Sequence, residues 1–565
     1  MTTDLTLKIG GEAGQGIQTI GTLLGEVCHG AGLFTFSVDD FESRIRGGHN
    51  FNLLRISDAP LTAMGNRIDI LVAIDQKTLA LNRENLSDTA VCILNSSARE
   101  ESTPSTLHLP VAALAKEAGN VITANTVAAG AALAIMGAPF SLLKAVLMER
   151  FSAKGDRIVD LNVTAAQMGY DAAQGIRLTK TLDWNGKKGD RTLMTGAKAA
   201  ALGAIASDCR FFSFYPMSPA TGIISNVVPF SKTLPLVVEQ AEDEIAAVTM
   251  ALGASFAGAR SLTTTSGGGF CLMTEALGHA AISETPLVII NAQRPGPATG
   301  MATRTAQADL LFAIQASQDD FPRFVFAPST PGATFELTKK AFTLGEKYQV
   351  PVILLMDQYL TTTRTTQEPF PDLAEPGTFI ITQDDMDAPE TYKRYQFTES
   401  GVSPRALPCM GNALVRVLGN EHDEAGHITE DPEIRVRMMD KRNAKLAAMK
   451  AEMQRPVLAH PESKTLLVCW GSPGGVVQEA GERLRDQGFD LGWMVFEELW
   501  PMDGEQIKTM IENKTLILVE QNSTAQLGKL IAQETGIKST LSILKYDGRP
   551  FFPDYIMDKA KEIIA

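Results

Sequence analysis

The 565-residue sequence contains no C-x-x-C pair; its cysteines, Cys28, Cys92, Cys209, Cys271, Cys409 and Cys469, stand far apart. Such spacing argues against a disulfide scaffold and against an iron–sulfur cluster or zinc site built by this chain alone. The 7 histidines are equally dispersed, with no H-E-x-x-H, so no metal ligand is expected. Positive charge is also short. Against 65 Asp and Glu there are 51 Lys and Arg, a net charge of -14. That balance argues against non-specific nucleic-acid binding and leaves no basic face for a membrane surface. Gly, Pro or a charge breaks every long apolar run well short of the ~18 residues a membrane span needs. The opening Met1-Thr-Thr-Asp-Leu-Thr-Leu-Lys8 has no basic region followed by an apolar core, so it does not read as a signal peptide. Together these absences predict a cytoplasmic protein with reduced thiols.

What is present is an α/β pattern long enough for three or four domains. Leu5 to Ile9 reads as a strand and Ile17 to about His29 as a helix. Strands at Asn52 to Ile56 and Ile68 to Ala73 follow, then an Ala/Gly-rich helix over Val121 to Met136. This first α/β unit runs over 1–185, and a charged, glycine-rich linker over 186–193. A second unit spans 194–365 and includes the strand Val350 to Met356. The segment 366–455 is Pro- and acid-rich and ends in a highly charged helix, Arg435 to Met453, expected to bridge domains. A third unit, 456–565, carries strands at Lys464 to Gly471, Asp490 to Val495 and Thr515 to Val519. The fold class is therefore α/β, with several doubly wound parallel-sheet domains.

Chemistry concentrates between Phe214 and Gln307. Tyr215-Pro216-Met217-Ser218-Pro219 leaves a hydrophobic strand in a proline-locked extended conformation. Four acids, Glu239, Glu242, Asp243 and Glu244, precede a small-residue helix from Ile245 to Ala259 whose surface permits close approach. The next strand, Arg260 to Thr265, empties into Ser266-Gly267-Gly268-Gly269, where backbone can meet a ligand with no Cβ in the way. Nearer the start, Gly10-Gly11-Glu12-Ala13-Gly14-Gln15-Gly16 between a strand and a helix is either a tight turn or an anion cradle. It is not the dinucleotide fingerprint. Arg44 and Arg46 sit in a loop that is either solvated or phosphate-binding. His422, Asp423, Glu424 and His427 match no metal spacing and read as solvated surface.

In this order the motifs resemble those of the 2-oxoacid:ferredoxin oxidoreductases. Tyr215 to Pro219 is similar to that family's Y-P-I-T-P signature, with Met217 and Ser218 in place of Ile and Thr. Glu242 to Ala247, Thr264 to Phe270 and Gln293 to Gly300 resemble the same α subunit. The Gly10 to Gly16 block resembles the γ domain, here fused in front. The resemblance covers nearly the whole chain. It implies a γ-type domain at 1–185, a pyrimidine-binding-type thiamine domain at 194–365 and a transketolase-C-type domain at 456–565.

What the resemblance further implies is an enzyme active only with a β subunit. That partner would carry a [4Fe–4S] cluster and thiamine diphosphate with its Mg²⁺, the cofactor being shared with this chain across the interface. Ferredoxin would accept the electrons, coenzyme A the acyl group, and an (αβ)2 heterotetramer is the expected assembly. Glu244 becomes the catalytic carboxyl at the cofactor's ring nitrogen, while Glu239, Glu242 and Asp243 keep a surface or capping reading. Ser218 and Arg304 are the expected substrate contacts, with Arg294 as the alternative cation or the one for a second carboxylate. Tyr215, Pro216, Ser266, Gly267 and Gly268 would line the cofactor. Gly10, Gly11, Gly14, Gln15 and Gly16, with Arg44 and Arg46, would meet coenzyme A. The expected reaction is reversible oxidative decarboxylation of 2-oxoglutarate to succinyl-CoA. The alternatives are pyruvate, branched-chain 2-oxoacids or an aryl-pyruvate, or else a non-catalytic nucleotide-binding protein.

Overall fold

The computed structural model describes residues 3–43, 47–96, 105–371, 376–382, 392–410 and 414–564. Arg44 and Arg46 lie outside the described residues. The chain forms two compact units. One comprises Met1–Thr195, Thr362–Phe370 and Phe552–Tyr555; the other comprises the remainder.

The first unit is built on an eight-stranded sheet. Its order is Thr106–His108, Leu86–Leu94, Ile68–Ala73, Asp4–Ala13, Gly47–Ser57, Phe34–Asp40, Arg364–Gln367 and Thr192–Thr195. The first four strands pair parallel, and every pairing beyond Asp4–Ala13 is antiparallel. The sheet is thus mixed, because Phe34–Asp40 and Gly47–Ser57 pair in antiparallel register where a crossover helix would be needed for a parallel pair. The helices Ile17–Gly30 and Ala124–Ile135 share one core with the sheet, through Ile20, Leu24, Ile70, Val127 and Ala131. The small residues that mark Ala124–Ile135 in the sequence have a steric cause. A Cβ on Gly130 would lie 2.0 Å from Ala166 O, and one on Gly169 only 1.9 Å from Val127 O. This helix and Asp156–Ala172 therefore touch backbone to backbone. The glycine-rich 186–193 segment is pinned within this unit. Arg191 donates to Gly32 O at 2.8 Å, and Lys187 packs where a Gly32 Cβ would stand.

The second unit holds two sheets. The seven-stranded one runs Glu498–Trp500, Phe324–Phe326, Pro351–Asp357, Leu287–Gln293, Ser261–Thr265, Phe211–Phe214 and Val237–Gln240. All its pairings are parallel except the edge strand Glu498–Trp500. The five-stranded sheet, Val457–Ala459, Leu491–Phe496, Thr465–Trp470, Thr515–Glu520 and Leu541–Leu544, is parallel apart from Val457–Ala459. Central strands such as Leu287–Gln293 and Pro351–Asp357 are buried along their whole length, as sheets covered on both faces require. One core joins the two sheets, with Ile289, Val325 and Ile353 from the first and Leu466, Val468, Met494 and Leu518 from the second.

The charged helix Pro432–Glu452 buries a mostly cationic stripe: Met438, Lys441, Arg442, Lys445 and Met449. Lys441 and Lys445 each reach one oxygen of the fully buried Glu284, at 2.5 and 2.7 Å. Arg442 and Arg435 both bind Glu421. The surface reading of the neighbouring run needs correcting at His422, which is completely buried and packs on Tyr395 with ring centroids 3.8 Å apart. His427 stays exposed. The reason is that Glu421 draws the run inward onto two arginines. Among the described residues no group of three His, Cys, Asp or Glu could hold a metal ion, and no helix is long and apolar enough to cross a membrane.

Candidate active site

The site lies at the carboxyl ends of neighbouring parallel strands, where open α/β sheets bind ligands. Strand Phe211–Phe214 runs out into Tyr215 and Pro216, both exposed, then into half-buried Met217 and Ser218. Arg294, just beyond Leu287–Gln293, donates from Nη1 to Ser218 O at 2.6 Å. Ser218 is therefore joined to the alternative cation, with the arginine bracing the backbone of the proline loop. Burial lowers the Arg294 pKa, and its Nε has no partner.

Glu244 opens the helix Glu244–Phe256, which Asp243 caps by accepting from Ala246 N at 2.7 Å. That cap accounts for one of the four clustered acids. It also fixes the helix entry, so Glu244 points inward. The residue is 4% exposed, and its Oε1 has no hydrogen-bond partner. A Cβ on Gly269 would stand 2.6 Å from that oxygen and 2.2 Å from Thr265 Oγ1. Gly267, Gly268 and Gly269 open the short helix Gly267–Leu272 rather than a loop, and its first turn lies directly on the Glu244 carboxyl, so any side chain at 269 would displace it. Gly267 has the same relation to Asp309, whose Oδ2 would be 2.6 Å from a Cβ there. Gly268 has more room, its nearest neighbour being Ala298 O at 3.7 Å. Ser266 Oγ and Asn291 Oδ1 are buried without partners.

Unpartnered buried polar atoms are scarce in folded proteins. Here Glu244 Oε1, Ser266 Oγ, Asn291 Oδ1 and Arg294 Nε occur within one set of strand ends and the turn above them. This is what a site built to hold a polar ring would show.

Arg304 is anchored by a different element. It is 7% exposed, and its Cβ lies 3.0 Å from the position a Cβ would take on Gly548, a residue at φ 78°. Thr305 N donates to Gly548 O at 3.3 Å, and Gln307 spans from Trp470 O at 2.6 Å to Gln521 N at 3.3 Å. The loop carrying Arg304 is therefore held by the C-terminal sheet. In the first unit, Gly10 and Gly11 belong to the strand Asp4–Ala13. Gln15 Oε1 accepts from Glu12 N at 2.8 Å and closes its own turn. Gly14, at φ 88°, faces open space, whereas Gly16, at φ 71°, packs against Asn125. The helix that follows has no side-chain cap.

Of three further polar residues of the site, Asn291 and Asp309 carried no signal in the sequence, and Gln293 entered only as the first residue of a family motif. Asn291 and Gln293 sit in an apolar strand, and Asp309 follows a polar loop. Asp309 accepts from Asn291 Nδ2 at 3.0 Å, and its own N–H donates to Gln293 Oε1 at 3.0 Å. Burial pushes its carboxyl up. Asp357 is pushed further, to about 6, by complete burial; it accepts from Leu360 N at 2.7 Å and pairs with Ser472 Oγ. Alternating amides and a loop acid acquire meaning only once the strand ends are aligned.

Residues 202–441 match a sequence-family model described as pyruvate flavodoxin/ferredoxin oxidoreductase, thiamine diP-binding. Residues 6–172 match one described as pyruvate ferredoxin/flavodoxin oxidoreductase. The chain is 31% identical to a 2-oxoacid:ferredoxin oxidoreductase subunit alpha of a Sulfolobus species, covering 99% of this chain and 97% of the relative. It is 31% identical to the 2-oxoglutarate synthase subunit KorA of Methanocaldococcus jannaschii, over 57% of this chain and 87% of that one. Among solved structures, a 2-oxoglutarate:ferredoxin oxidoreductase from Magnetococcus marinus, with 2-oxoglutarate, coenzyme A and succinyl-CoA bound, superimposes with a TM-score of 0.92. The identity is 31%, and all of both chains is covered.

Proposed function

The chain belongs to the 2-oxoacid:ferredoxin oxidoreductase family, as a chain of the α-subunit type, and on that premise we propose that it is the α subunit of a CoA-dependent 2-oxoglutarate:ferredoxin oxidoreductase. The observation that carries the chemistry is the buried Glu244 with an unpartnered oxygen pressed against Gly269. The residues fit thiamine diphosphate: a carboxyl for a ring nitrogen, a cradle a Cβ would fill, and further polar atoms without partners. When bound, that cofactor supplies a carbon nucleophile for the 2-oxo carbon and takes up the electron pair left by departing carbon dioxide.

In this reading Glu244 holds and returns the proton at the ring nitrogen. Ser266, Gly267 and Gly268 let backbone close over the ring, with Tyr215 and Pro216 at the rim. Ser218 donates its hydroxyl to the substrate, and Arg304 takes a carboxylate through its planar guanidinium. Arg294 braces Ser218 and offers a charge to the second carboxylate. The Gly10 to Gly16 loop, with Gly14 open and the helix behind it uncapped, takes a phosphate of coenzyme A. A β subunit supplies the rest of the thiamine site, with Mg²⁺ and a [4Fe–4S] cluster, in an (αβ)2 assembly that reduces ferredoxin. With so low-potential an acceptor the reaction also runs toward carbon dioxide fixation. The choice of 2-oxoglutarate is supported by the full-length likeness to a protein solved with that substrate.

The test is viologen reduction by the complex with its β-type partner, with coenzyme A present and 2-oxoglutarate, pyruvate, branched-chain and aryl 2-oxoacids offered in turn. The expected result is highest kcat/KM with 2-oxoglutarate. Preference for pyruvate, which the family-model descriptions name, would reassign the substrate and keep the chemistry. No activity with any 2-oxoacid would overturn the reading.

A further inference from the structure

We propose that Asp309 is a positioning residue that acts through Asn291, holding that amide so that its oxygen is presented as an acceptor on the face shared with Thr265 and Glu244. The inference rests on the thiamine reading above and assigns Asn291 Oδ1 to a hydrogen-bond donor of the bound ring, in this cofactor its exocyclic amine.

The placement follows from strand register. Asn291 is the parallel partner of Thr265, so the two side chains share one face of the sheet. Thr265 Oγ1 and Glu244 Oε1 crowd the same point beneath Gly269. Asn291 is therefore one strand away from the catalytic carboxyl, on its side.

Its orientation follows from Asp309. A carboxylate only accepts, so an ionised Asp309 must take the amide nitrogen and turn the oxygen away. Gln293, two residues on and on the same face, accepts from Asp309 N and donates to Met356 O at 3.3 Å. Both amides of the strand thus lock Asp309 in place, and Asn291 alone is left with a free function. That Oδ1 is fully buried and has no partner, which in a core amide costs stability unless a ligand supplies the donor. The closeness of Asp309 to Gly267 ties the pair to the same turn that covers Glu244.

The test is a double-mutant cycle on the intact α–β complex, using Asp309→Ala, Asn291→Ala and the double variant. Thiamine diphosphate affinity is read from the quenching of intrinsic fluorescence, and Tm is measured alongside. Each single substitution should weaken binding about tenfold, and the double variant should be no weaker than Asn291→Ala. Asp309→Asn, which keeps an acceptor, should recover most of the affinity. Additive losses, or an Asn291→Ala complex that binds like wild type, would overturn the inference. Glu244→Gln separates the two levels. If wild type binds the cofactor and Glu244→Gln abolishes turnover while the cycle is additive, only the Asp309 role falls. If the wild-type complex binds no thiamine diphosphate, both fall.

Discussion

At the scale of single residues, the site depends on a carboxyl that is placed by what is missing around it. Gly269 leaves just the space that Glu244 fills. Glu244→Gln keeps the shape and removes the proton, so kcat should fall by at least ~10²-fold with Tm nearly unchanged; steady-state viologen kinetics checks this. Gly269→Ala should cost a similar factor by displacing the carboxyl, and should also lower Tm. Arg304→Lys keeps charge but loses the planar fork. It should raise KM for the 2-oxoacid about tenfold with kcat within a few-fold, and an unchanged KM would remove Arg304 from the substrate site. Glu244 and its neighbouring glycines could be picked out only through the family motifs they stand in, since an acid in the first turn of a helix is ordinarily a surface residue. Asn291 and Asp309 could not, since their partners are distant in sequence and an amide inside an apolar strand looks like any other.

At the scale of elements, helix entries and buried ion clusters set stability. Asp243→Ala removes the cap of the helix that carries Glu244 and should cost about 1 kcal/mol, read as a lower denaturant midpoint. The Glu284 cluster is a stronger case. Burial alone would raise its carboxyl, but Lys445, Lys441 and Arg394 together hold it well below the usual range. A depressed acid contributes stability above its unfolded pKa, so this contribution is complete at neutral pH and is lost as pH falls below about 4.5. Glu284→Gln leaves two lysines buried beside Arg394 and should destabilise by about 3–5 kcal/mol at pH 7, measured by guanidinium unfolding. The charged helix was legible as a helix; that its cationic face is the buried one was not, because charge alone reads as solvent exposure.

At the scale of the whole molecule, Asp357 from the seven-stranded sheet meets Ser472 from the segment after Thr465–Trp470. Its raised carboxyl means that the folded chain binds a proton the unfolded chain has lost between pH 3.8 and about 6. Stability from this group therefore falls as pH rises through that window. Asp357→Asn should gain on wild type by up to ~3 kcal/mol between pH 4 and pH 7, followed as the difference in Tm across that range. A constant difference would show that the carboxyl titrates normally.

The sequence by itself determined the α/β class, the order of the motifs and the strand Ile68–Ala73 to the residue, because each is encoded locally by period, by glycine or by proline. Tertiary structure alone decided that the first sheet is mixed, that Glu498–Trp500 adds an edge strand to the sheet of the preceding segment, and that His422 lies inside. It also decided that Arg294 braces Ser218 while Gly548 holds Arg304. Those facts depend on contacts between residues far apart in the chain, and no local pattern records which distant backbone a side chain will meet.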